Sequence, residues 1–171
     1  AGISRTWAGG LNYNDVWSKK TSMSSSYFYN NVKNTNDNEN YRETFANNDS
    51  SQFNSSKNLS SNTNQNHRFN FEIEHKFDTL NSIQIRPSVS FQHNERGGET
   101  TTSITKGKLV NLSNVNQRTT NVSDGYTFST NVLLRHKFQK RGRTISINFV
   151  PTLSTNESDG TNISFNEIYK T

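Results

Sequence analysis

Glu72 and Glu74 stand two residues apart, and on an extended chain that spacing puts both carboxylates on one face, where a general acid and base could sit. Arg68 and Lys76 fall on the same face, so the four residues read better as a ladder of ion pairs than as a catalytic dyad. The four histidines, His67, His75, His93 and His136, show neither HxH nor HExxH spacing, and a zinc site would need a third ligand brought in from elsewhere. There is no cysteine, which excludes disulfides and thiolate metal sites. No serine sits in a GxSxG elbow, and Gly97-Gly98 lacks the spacing and the following helix of a phosphate loop. No catalytic residue, metal site or cofactor is expected, and the chain does not read as an enzyme.

Those side chains must be carried by strands. Of the 171 residues only 28% are hydrophobic, yet the apolar ones are aromatic or β-branched and fall in alternating runs. Half-buried strands produce that pattern when one face meets an apolar medium and the other meets water. Six strands are expected, at about 3–14, 21–32, 65–77, 82–93, 124–138 and 144–155, within a single segment spanning 1–171. Short turns at 15–20, 78–82 and 139–143 join them at one end. Long Asn- and Ser-rich stretches, 33–64 and 95–123, are expected as loops at the other, with strand extensions around Tyr41 to Phe45 and Gln52 to Ser56.

Two of the hairpins look related. His75-Lys76-Phe77 and His136-Lys137-Phe138 precede the second and third turns, 61 residues apart (136 − 75), and each turn is followed by apolar residues at alternate positions. The apolar faces read as Phe69, Phe71 and Ile73 entering the second turn, and Ile83, Ile85 and Val89 leaving it. Around the third turn they are Val132 and Leu134, then Ile145, Ile147 and Phe149. The opposite face carries Arg68, Glu72, Glu74, Arg86 and Arg135.

The length of that face points to lipid. From Ile83 to Phe91 is about 27 Å of strand, or roughly 20 Å of membrane normal at a tilt of about 40°. Aromatic girdles at both interfaces are expected from Trp17, Phe77 and Phe138 at the short-turn end and Trp7, Tyr27, Phe91 and Tyr126 at the other. A narrow closed barrel could not bury so many inward charges, so the fold expected is an all-β antiparallel meander of transmembrane hairpins, an arc of a larger outer-membrane β-barrel. The formal charge of +5 is scattered rather than gathered into a stripe, and no nucleic-acid partner is expected.

Gly9-Gly10-Leu11-Asn12-Tyr13-Asn14-Asp15, Ser26-Tyr27-Phe28-Tyr29-Asn30, Asn66-His67-Arg68-Phe69-Asn70-Phe71 and Arg143-Thr144-Ile145-Ser146-Ile147-Asn148 resemble the outer-membrane β-barrel family of Bacteroidetes. Its members look like TonB-dependent receptors, with a regulatory-like domain, a plug and a large barrel. The resemblance covers most of residues 1–165 and implies barrel strands alone. It implies a place in the bacterial outer membrane, with loops at the cell surface and lipid as a partner. It further implies contact with the remaining strands and plug of a parent barrel, and TonB-type energy coupling through segments outside this chain. The competing expectation is a secreted or surface-exposed β-sandwich adhesin, soluble by itself.

Overall fold

A computed structural model describes residues 2–45, 51–107 and 110–169. Seven antiparallel strands form one sheet: β1 (Gly2–Ser18), β2 (Thr21–Thr44), β3 (Gln52–Lys76), β4 (Asn81–Lys106), β5 (Val110–Lys137), β6 (Thr144–Phe149) and β7 (Thr152–Ile168). They run as a meander in chain order, with β6 and β7 both paired to β5. Val132 faces Phe149 and Ser129 faces Thr152 in one unbroken register, so β6 and β7 are halves of a single strand interrupted at Pro151, which has no amide hydrogen to give. The sheet is all-β and open: among the described residues β1 touches only β2, and β6 and β7 touch only β5.

The short turns stand where alternation breaks off. Lys19 and Lys20 join β1 to β2. The β3–β4 turn is organised by Asp78, whose carboxylate accepts the backbone N–H of Leu80 and of Asn81 at 2.7 Å each and the Asn81 amide at 2.8 Å. An aspartate that bonds its own backbone two residues on is a turn former for that reason. The side-chain bond from Asn81, followed by the two backbone bonds, holds the Asp78 carboxyl below its ordinary value. In the third turn the Arg143 N–H reaches the Lys140 carbonyl at 3.3 Å, and Gly142 supplies a φ of 82° that a side chain would resist.

The far ends differ from the sequence reading. Over their described residues, 33–64 and 95–123 are not loops but the outer halves of β2 to β5, paired without a break from Thr21–His75 to Thr44–Gln52 and, but for a shift at Ile104–Thr105, from Asn81–His136 to Lys106–Val110. Residues 46–50 and 108–109 of those stretches lie outside the described residues. Strands of 24 to 28 residues result. The strand expected over 144–155 likewise runs on to Ile168. Apolar alternation marks a strand only where one face is dry. These halves are polar on both faces, and the hydrogen-bond ladder alone holds them in register.

No apolar side chain is buried among the described residues, and Leu11, Ile147 and Phe149 are 75%, 60% and 63% exposed. Gln84, at 6% exposed, is the buried polar residue. The sheet therefore has faces but no core of its own.

Candidate functional site

Directly opposed residues share a face, so the register sorts the chain into an apolar and a polar surface. One row of the apolar face reads Leu11, Tyr27, Phe69, Val89, Phe128, Leu153 from edge to edge. Nearer the short turns, another reads Met23, Ile73, Ile85, Val132, Phe149, and the next Ile83, Leu134, Ile147 beside His75. Phe71 and Ile145 fall on the same alternation. Every residue expected at the lipid-facing surface thus lies on one face.

Aromatic residues bound this band. Tyr29, His67, Phe91 and Tyr126 oppose one another across four strands. Tyr27 ties them to the row below, its ring 4.6 Å from that of Phe69 and its hydroxyl 2.9 Å from His67 Nδ1. Trp7 lies one row further out, opposite Asn31. At the turn end, Phe77 N–H bonds Asn81 O at 3.0 Å, and the row continues through His136 to Ile145. Phe138 follows two residues beyond His136. Trp17 lies at the turn end of β1, 59% exposed, within the register shift between Asp15 and Ser18, so no cross-strand partner assigns it to either face.

The His-Lys-Phe repeat has a structural counterpart. His75 Nδ1 is 2.8 Å from Thr21 Oγ1 and its ring meets Phe77 edge-on at 5.0 Å. His136 Nδ1 is 2.7 Å from Asn81 Oδ1 and its ring meets Phe138 edge-on at 4.7 Å. Thr21 and Asn81 each open the strand that leaves the preceding turn. Both histidines are thus absorbed in closing the turn end of a hairpin.

The polar face carries all five residues expected there. Glu72 pairs with Arg86 at 3.2 Å and also takes a bond from the Gln84 amide. Between Glu72 and the outer rows lie amides and hydroxyls: Asn70 accepts from Ser88 at 2.9 Å and donates to Ser26 at 3.2 Å. Arg68 stands opposite Phe28 and Ser90; Glu74 lies opposite Gln84, and Arg135 opposite Ser82 at the turn end. All four histidines fall on the other face, separated from Glu72 and Glu74 by the sheet. No group of three or more His, Cys, Asp or Glu could hold a metal ion among the described residues.

No family model matches the chain, and no curated protein matches it. Against the outer membrane channel DcaP of Acinetobacter baumannii it aligns at 11% identity and a TM-score of 0.17, covering 88% of this chain and 62% of that one. Against the membrane pore complex of Pneumolysin the values are 8% and 0.16, covering 94% and 31%. Against Acinetobacter baumannii CarO they are 8% and 0.15, covering 92% and 79%. The chain thus spans less than two thirds of DcaP. Likeness at these scores carries no argument about function, and the fold rests on the strands themselves.

Proposed function

We propose that this chain is an arc of a bacterial outer-membrane β-barrel, part of a TonB-dependent-receptor-like protein that binds or imports a ligand. The observation that carries the reading is the bare apolar band bounded by two aromatic rows. From Phe91 to Asn81 is ten residues (91 − 81). That is roughly 33 Å of strand, or about 25 Å of normal at a tilt of about 40°, the height of the apolar belt of such barrels. A contiguous apolar surface of this extent needs a cover, and lipid supplies one without any further protein layer. The Glu72–Arg86 face then lines a wet lumen, and strands of the parent protein complete the circle beyond both open edges.

About 50 Å of β4, from Gln92 to Lys106, would stand beyond the outer aromatic row. In this reading the extended hairpins form the wall of an outer vestibule at the cell surface, and a plug with TonB-type coupling belongs to the parent protein. The test is assembly. Expressed in its parent protein, the segment should insert into the outer membrane and shift on a gel when unheated. A chain that is a soluble, β-rich monomer in detergent-free buffer would instead be a β-sandwich-type binding module.

A further inference from the structure

The turn end of the sheet gathers charge that is dispersed along the sequence. Residues 17–21, 76–82 and 135–144, which close the three hairpins, hold eight of the chain's 19 Lys and Arg against one of its 14 Asp and Glu. That carboxylate is Asp78, already bonded to the Leu80 and Asn81 N–H groups of its own turn. Among the described residues no cation of the turn end is in an ion pair. Beyond the outer aromatic row the balance reverses on the outward side. Glu95, Glu99, Asp124, Glu157 and Asp159 are among the carboxylates there, which outnumber Arg5, Lys33, Lys57 and Arg118.

Three of those cations share one tight turn. Lys140, Arg141 and Arg143 occupy the β5–β6 connection, which is folded by the bond from the Arg143 N–H to the Lys140 carbonyl and by the positive φ of Gly142. The Phe138 N–H reaches the Arg143 carbonyl at 3.1 Å, extending the β5–β6 register one pair beyond Lys137–Thr144. Arg143 therefore falls on the outward alternation of Ile145 and Ile147. Beside it a hollow of about 400 Å³ opens, its apolar lining formed by Phe77, Leu134, Ile145 and Ile147 around the Asn81–His136 pair. At the Phe77 flank the Lys20 ammonium bonds the Phe77 carbonyl at 2.9 Å. The Phe138–Arg143 pair lies two residues past the Asn81–His136 row, about 5 Å of membrane normal at a tilt of about 40°. That depth is inside a headgroup layer roughly 5–8 Å thick.

We infer that the turn end binds an anionic glycerophospholipid of the adjoining leaflet, its phosphate on Lys140, Arg141 and Arg143 and an acyl chain in the hollow beside Ile145. The inference rests on the barrel reading above and adds a specific lipid site to it. Arginine forks match phosphate oxygens two at a time, and no neighbouring carboxylate competes for them. A zwitterionic headgroup would bring its own ammonium up to the cations and cancel most of the attraction. An acidic peptide or polymer could meet the charges, but it would leave the apolar hollow uncovered.

The test uses the full parent protein in detergent, equilibrated with equal amounts of phosphatidylglycerol and phosphatidylethanolamine of the same acyl chains, and reads bound lipid by native mass spectrometry. Phosphatidylglycerol should be retained at least about tenfold over phosphatidylethanolamine, and added salt should shrink that preference. Lys140→Gln, Arg141→Gln and Arg143→Gln together should abolish it. Arg5→Gln, Lys33→Gln and Arg118→Gln together, at the far end, should leave it unchanged. Glycerol 3-phosphate at the same concentration should displace no lipid, because it has no chain to fill the hollow. Equal retention of the two lipids, capture of polyglutamate in place of lipid, a preference that survives the turn variant, or displacement by glycerol 3-phosphate would each overturn the inference. Heat-modifiable migration of each protein separates the two readings: an assembled barrel that retains both lipids alike defeats the lipid site alone, and a chain that never assembles defeats the barrel.

Discussion

Pro87 faces Thr130 on one side of β5, and Pro151 accepts the Thr130 amide hydrogen on the other side at 3.1 Å. Both prolines therefore lie in one row of the sheet, within the apolar band. The β3–β4 register skips Phe71–Pro87 and Glu72–Arg86, and the β5 ladder is cut at Pro151. Each proline forfeits one ladder bond, because neither can donate.

A donor restored at position 151 should be stabilising. Thr130 and Pro151 are a hydrogen-bonded pair of which half is missing, so Pro151→Val should add roughly 0.5–1.5 kcal/mol. The midpoint of guanidinium unfolding from detergent would report it. A lower midpoint would mean that the proline's fixed φ matters more there than the lost bond.

Glu72 and Arg86 should couple only modestly. Their side chains are 36% and 51% exposed, so solvent screens the pair and a double-mutant cycle with Glu72→Ala and Arg86→Ala should give about 0.2–1 kcal/mol. A coupling several times larger would indicate a drier, narrower lumen than a large barrel provides.

Asp78 makes the second turn pH-sensitive. Its carboxyl is held below the ordinary value of 3.8, so its contribution is fully present above that value and disappears as pH falls through the lowered one. Asp78→Ala should remove this acid-dependent component, measured as the difference between parent and variant unfolding midpoints from pH 6 downward. A difference that stays constant with pH would contradict the assignment.

The apolar band was legible because its strands alternate apolar and polar residues at a period of two. Phe69, Phe71 and Ile73 could be placed on one face from spacing alone, and the His-Lys-Phe repeat marked the turn ends before any pairing was known. The extended halves were not legible by that signal. Around Asn62 or Thr101 neither face is apolar, so period-2 hydrophobicity vanishes while the ladder persists. The informative pattern there is carboxylates confined to one face, as where Glu95 and Glu99 alternate with Asn94, Arg96 and Gly98, together with the β-branched run Thr100-Thr101-Thr102. The register shift beside Trp17 was not legible either, because a bulge cannot be read from composition.

The most direct measurement is an arginine scan along the outward positions of β4, read as outer-membrane assembly and unfolding free energy. Ile85→Arg, in the middle of the band, should cost about 2–4 kcal/mol, whereas Thr101→Arg, on the same face beyond the aromatic row, should cost about 0–1. That depth profile is what a lipid-covered band requires. Equal, small effects at both positions would show that no membrane covers Ile85, and the barrel account would fail.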